Sequence, residues 1–171
     1  MNPNTITAIN KQINEELFSS YLYLSMAAYF EAQNLKGFAN WMRVQVKEEN
    51  DHAMGFFNHL LSRGADVELT EILKPENKFK DVLTIFEMTL DHEKHITASI
   101  NNLYETALTE KDYAVQSLLK WYIDEQVEEE ANAQELIDKI KLIGGKGDAL
   151  LLLDRELSTR QYVAAPFLAG K

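Results

Sequence analysis

Apolar residues recur along this chain at alternating steps of three and four, in four separate runs. The first is Ile9, Ile13, Glu16, Ser20, Tyr23, Ala27 and Phe30, and the second is Phe38, Met42, Gln45, Glu49, His52, Phe56 and Leu60. The third is Val82, Phe86, Thr89, Glu93, Ile96, Ile100, Leu103 and Ala107. The fourth is Val115, Leu119, Tyr122, Gln126, Glu129, Ala133, Leu136, Ile140 and Ile143. A period near 3.5 marks a helix face that packs against other helices. Four such faces predict an all-α chain, a left-handed four-helix bundle over about residues 3–143.

The breaks between runs carry start and stop signals. Asn2-Pro3 reads as a helix cap followed by proline at the first helical position. Asn34-Leu35-Lys36-Gly37 interrupts the first run, and Gly64 ends the second. Thr109-Glu110-Lys111-Asp112 resembles a capping box with Asp in place of Glu, and Gly144-Gly145-Lys146-Gly147 stops the fourth run. Asp148 to about Thr159 predicts a short fifth helix, apolar almost all round from Leu150 to Leu153, and residues 160–171 read as an irregular tail. Together, residues 1–171 read as one domain.

Link lengths constrain the topology. Short links make antiparallel hairpins of the first and second helices, and of the third and fourth. The middle link, from Ala65 to Lys80, is about 16 residues and could reach ~50 Å, against ~42 Å for a long helix. It is therefore long enough to run the length of the bundle as a crossover and set the second and third helices parallel.

Composition narrows the class. With 171 residues and 46% hydrophobic content the chain can bury one sizeable core, and 7 Gly and 3 Pro favour uninterrupted helices. The absence of Cys removes disulfides and thiolate metal sites. Neither a signal peptide nor an apolar stretch of membrane-spanning length is visible, so a soluble cytoplasmic protein is expected. A net charge of -10 argues against nucleic acid and anionic membranes, and fits a cation partner.

Each apolar run is interrupted once by polar groups: Glu16; Glu49 with His52; Glu93; Gln126 with Glu129. At 1.5 Å per residue, all lie ~20 Å from the end where the first helix begins. Glu49 and His52, three apart, share one helix face. Ionisable groups in a core are costly unless paired or bound to metal. Several carboxylates with one imidazole and no thiolate suit a pair of iron or manganese ions. Zinc also accepts such donors, though its sites are usually richer in His.

Glu15-Glu16-Leu17-Phe18-Ser19-Ser20-x-x-Tyr23, Glu48-Glu49-x-x-His52, Glu93, and Trp121-Tyr122-x-x-Glu125-Gln126-x-Glu128-Glu129 resemble the non-haem ferritins of bacteria. The likeness covers nearly the whole chain, including Asp154-Arg155-Glu156-Leu157-Ser158-Thr159. It implies a ferritin-like fold in which Glu16, Glu49 and His52 bind one iron. Glu49 bridges to a second iron held by Glu93 and Glu129, with Gln126 as a hydrogen-bonding or weak ligand group. Glu48, Glu125, Glu128 and Glu129 match a third iron site. Tyr23, seven residues after Glu16 on the same face, can reach the metal sphere, whereas Trp121 reads as packing and His59, His92 and His95 as surface or rim groups.

Departures from related patterns matter too. No His follows Gln126 or Glu129 to complete a second Glu-x-x-His, and Asn50 stands where bacterioferritin has its haem-ligating Met, so no haem is expected. Where animal ferritins line a three-fold channel with acidic residues, this chain aligns Gln116 and Leu119.

The resemblance implies a ferroxidase and iron-storage protein, a homo-oligomeric cage of twenty-four subunits. Two ferrous ions each give an electron to dioxygen or hydrogen peroxide, and ferric product leaves for a mineral core. The rival readings are a di-iron oxidase of an organic substrate, and a metal-free helical bundle that binds a partner.

Overall fold

The computed structural model describes residues 1–168 and contains five helices: α1 (Pro3–Ala32), α2 (Lys36–Ser62), α3 (Val82–Thr109), α4 (Tyr113–Leu142) and α5 (Gly147–Leu157). The first four form the expected bundle, and α5 packs on α2. Residues 158–168 form no regular element, and 169–171 of the expected tail lie outside the described residues. Among the described residues no helix is long and apolar enough to cross a membrane.

The helix ends follow local chemistry. Asn2 caps α1 by accepting from the Asn4 N–H at 2.9 Å, with Pro3 at the first helical position. Asn34 ends α1 in the left-handed region (φ 58), a conformation Asn tolerates better than most residues. The start of α4 differs from the expected capping box. Thr109 still belongs to α3, Lys111 makes the turn at φ 55, and Asp112 is itself the cap, accepting from Val115 N–H at 3.2 Å. A three-residue link leaves no room for Thr109 to serve the second helix.

The crossover follows α1 along its length. Asn10 donates to the Asp66 carbonyl and accepts from the Glu68 N–H, Asn14 donates to the Glu71 carbonyl, and Ser25 donates to the Glu76 carbonyl. Further along, Phe79 meets Tyr29 edge-on, ring centroids 5.6 Å apart. The segment therefore leaves the end of α2 beside the first turns of α1 and delivers the chain to the opposite end, where Asp81 caps α3. Helices α2 and α3 run parallel as a result.

Every residue of the four apolar runs is buried except Ile143, which caps α4 and is half-buried. The apolar core comes in two blocks. One gathers Tyr23, Met26, Phe30, Phe38, Met42 and Phe86 with Ile140, and the other Ile9, Ile13, Phe56, Leu60, Ile100 and Leu119. Between them lies a polar layer at mid-height.

The fifth helix is two-faced, not uniformly buried. Leu150 and Leu153 face the bundle, while Leu151 and Leu152 are 51% and 65% exposed. It docks through Asp154, whose Oδ1 accepts from the N–H groups of Gly37 (2.8 Å) and Phe38 (3.0 Å). This carboxylate satisfies the free amides opening α2, whose own N-cap, Leu35, has no side chain to do so.

Candidate metal centre

The mid-height layer is built by all four long helices. Glu16 comes from α1, Glu49 and His52 from α2, Glu93 from α3, Gln126 and Glu129 from α4. None of the six is more than 3% exposed. Glu49 and His52 are one helical turn apart, and Glu49 Oε2 lies 3.4 Å from His52 Nδ1. One ligand atom from each of Glu16, Glu49 and His52 falls within 4.8 Å of the others. Spacing along the chain thus becomes convergence in space.

Three of the four carboxylates accept hydrogen bonds from a neighbour. Glu16 Oε1 accepts from Gln12 Nε2 at 2.8 Å, and Glu129 Oε2 accepts from Gln45 Nε2 at 2.9 Å. Tyr23 donates to Glu93 Oε1, and Gln126 Nε2 donates to Glu93 Oε2 at 3.1 Å. His52 is packed edge-on against Trp121, centroids 5.3 Å apart, and its backbone carbonyl accepts from the Tyr122 hydroxyl at 2.8 Å. Gly55 leaves room for that contact, since a Cβ there would sit 2.2 Å from the Tyr122 hydroxyl oxygen.

The electrostatics are those of a site short of positive charge. Burial raises Glu16 and Glu49 well above the ordinary carboxylate range, with repulsion from Glu49 on Glu16, and from Glu93 and Glu129 on Glu49. Glu93 is raised by burial despite its two donors, and Glu129 is raised to about 8 by burial and then by Glu93. Burial likewise raises the Tyr23 hydroxyl, which stays a donor to Glu93. Glu16 Oε2 has no hydrogen-bond partner although it is buried. A multivalent cation would satisfy that atom and offset the repulsion. The donors, several hard oxygens and one imidazole, fit iron.

Glu48, Glu125 and Glu128 lie to one side of this layer, lining a pocket of about 390 Å³ that also touches His52. Burial raises Glu48 and Glu125, with mutual carboxylate repulsion adding to it and Arg160 opposing it. Part of the pocket's wall is the segment 160–166, which the periodic pattern does not mark: Arg160 donates to Glu48, and Tyr162 donates to Asp51. Neither carries a helical signature.

The other histidines stay outside the layer. His95 is exposed and pairs with Glu15 at 3.0 Å. His92 is deeper than a rim position, half-buried and edge-on to Tyr23, with Nε2 2.8 Å from Ser19 Oγ, and burial lowers it to about 4. Trp121 packs against Tyr122 and Phe167 as well as His52. Leu119 is fully buried in its own subunit's core, so it cannot line a channel between subunits, and half-buried Gln116 donates to the Ala107 carbonyl.

Fold and layer together define a class: four-helix bundles with one long crossover and a carboxylate–histidine cluster at mid-height. Residues 6–143 match the ferritin-like domain, and the chain belongs to that family. It is 41% identical over 155 residues to a bacterial non-heme ferritin of Campylobacter jejuni, spanning 91% of this chain and 93% of that one. With its Staphylococcus aureus counterpart it shares 38% identity over 162 residues, 95% of this chain and 98% of the other. Among solved structures, an open-pore ferritin from the archaeon Archaeoglobus fulgidus superposes with a TM-score of 0.92 at 47% identity, covering 94% of this chain and 99% of that one. An engineered closed form of the same archaeal ferritin gives a TM-score of 0.93, also at 47% identity, over 95% and 99% of the two chains.

Proposed function

We propose that this protein is an iron-storage ferroxidase that oxidises ferrous iron at the mid-height layer and holds the ferric product inside a hollow homo-oligomer of twenty-four subunits. The observation that carries the reading is the convergence of Glu16, Glu49 and His52 on one small volume, with Glu93 and Glu129 nearby on α3 and α4.

Iron is the substrate. Glu16, Glu49 and His52 bind one ferrous ion; Glu93 and Glu129 bind a second, with Glu49 shared between them. Each ion gives one electron to dioxygen or hydrogen peroxide, and the hard carboxylates favour the ferric state of both. Carboxyls that are raised in the metal-free layer release protons as the ions bind. Tyr23 and Gln126 donate to the two oxygens of Glu93 and fix its orientation. Glu48, Glu125, Glu128 and Glu129 take a third ion beside the pair, on the side where the first three line the pocket. Iron is the only metal this reading requires, and no haem enters it.

Storage needs a cavity that one bundle cannot enclose. The relatives are ferritins, and this chain presents exposed apolar residues suited to burial between subunits, among them Leu142, Leu151 and Leu152. We place the protein in the cytoplasm by the same kinship.

Stopped-flow mixing with ferrous iron in air tests the site. Glu49→Ala removes the shared ligand, and the fast phase should fall by at least ~100-fold. Glu128→Ala should keep the fast phase and change only later turnover. Identical behaviour of the two variants would refute the separation of the paired ions from the third.

A further inference from the structure

Arg160 occupies an unusual place. It follows α5 at the start of the tail, yet its guanidinium lies among carboxylates supplied by α2 and α4. Its Nη2 donates to Glu48 Oε2 at 2.8 Å, and both partners are largely covered, their side chains 22% and 17% exposed. The same guanidinium sits over the Trp41 ring, 4.6 Å from the centroid, while Nη1 donates to the Trp41 carbonyl at 3.4 Å. Backbone contacts hold its position from behind, since Asn40 Nδ2 donates to the Arg160 carbonyl at 3.0 Å.

The segment beyond is tied down as well. Tyr162 donates to Asp51 Oδ2 at 2.6 Å, and the Ala165 N–H donates to the same oxygen at 3.0 Å. Residues 160–166 thus form a strap across the pocket lined by Glu48, Glu125 and Glu128 and reaching His52. Arg160 faces both Glu48 and Glu125, opposing the rise that burial causes in each.

We propose that Arg160 is a resident counter-ion for this carboxylate basin, standing where the third cation binds, and that metal enters only as the guanidinium leaves Glu48. Arg160 is thus a positioning residue that sets the basin's cation affinity and gates its use. This rests on the reading of Glu48, Glu125 and Glu128 as a third cation site. The physical ground is competition. An incoming cation must separate a hydrogen-bonded, partly buried ion pair, and it also meets a like charge until the strap moves. Lys in place of Arg keeps the charge but loses the fork geometry and much of the stacking on Trp41.

Terbium(III) is a suitable probe: a redox-inert, oxygen-seeking cation whose luminescence is sensitised by nearby tryptophan, and Trp121 lines the same pocket. Titrations of the intact assembly are compared for the parent, Arg160→Gln, Arg160→Lys and Tyr162→Phe, each with and without Glu128→Gln. The step abolished by Glu128→Gln reports the basin. Losing Arg160 in Arg160→Gln should tighten that step by roughly tenfold, the scale of one partly buried ion pair. Arg160→Lys should fall between it and the parent. Tyr162→Phe, which keeps Arg160 but loosens the strap, should tighten binding by a smaller factor. A step absent from the parent but present in Arg160→Gln would also bear the proposal out. An unchanged basin affinity in Arg160→Gln, with the Glu128-dependent step present, overturns the role of Arg160 alone. No Glu128-dependent step in any variant overturns the third-site reading and the proposal with it. Equal oligomer size and helical content across the variants separate these outcomes from misfolding.

Discussion

Glu129 carries the conflict at the centre of this molecule in a single side chain. It is buried, faces Glu93, and is raised to about 8 from an ordinary value of 4.5. Between those two values the folded, metal-free chain holds a proton that the unfolded chain has released, so stability falls as pH rises through the window. Raised Glu16, Glu49 and Glu93 act in the same direction. Metal binding has the opposite dependence, because ligation requires the protons to leave. Calorimetry without metal should therefore show a thermal midpoint several degrees lower at about pH 8 than at about pH 5. Replacing Glu16, Glu49, Glu93 and Glu129 with Leu or Gln, and His52 with an apolar residue, should raise the midpoint and flatten that slope. Anaerobic ferrous iron should stabilise the parent alone. A metal-free variant no more stable than the parent would mean these groups are solvated, not strained. The residues of this layer were legible in the sequence because each breaks an apolar run at the same height. Their supports were less so. Gln45 lay within a run, and Gln12 stood one turn before Glu16, but nothing in either position announced which oxygen it would bond.

At the scale of elements, periodicity announces which face of each helix is buried, and link length announces the crossover. The docking of α5 was beyond its reach. Asp154 and Gly37 are 117 residues apart, and a contact of that kind has no repeating signature. Yet it is among the most constrained in the fold: a Cβ on Gly37 would sit 1.5 Å from the Asp154 carbonyl oxygen. Gly37→Ala should displace α5 and cost about 2–4 kcal/mol, the range of a core clash with a lost cap. Asp154→Asn, which keeps shape but loses charge, should cost nearer ~1 kcal/mol. Hydrogen exchange across residues 147–157 checks this, with fast exchange expected in Gly37→Ala and intermediate exchange in Asp154→Asn. Full protection of α5 in Gly37→Ala would show that the close approach is not needed. The half-burial of Ile143 and the capping by Asp112 mark the same limit, because helix ends are decided by local turns that the apolar period does not record.

The whole molecule is two apolar blocks with a charged layer between them, and to that layer we assign both the chemistry and a cost in stability to the metal-free fold. An excess of acid over basic residues, net charge -10, suits a protein that gathers cations. The outer leucines of α5 and the end of α4 are exposed apolar surface that the proposed assembly would bury. One measurement joins the site to the assembly. Ferrous iron is added in air to the purified protein, which is then passed over a size-exclusion column with light scattering, ferric absorbance and iron content read together. Rapid ferric absorbance and many iron atoms per subunit are expected, all eluting with one closed particle far larger than a monomer. A monomer or dimer, or ferric iron that precipitates apart from the protein at the rate seen without it, would refute the storage function.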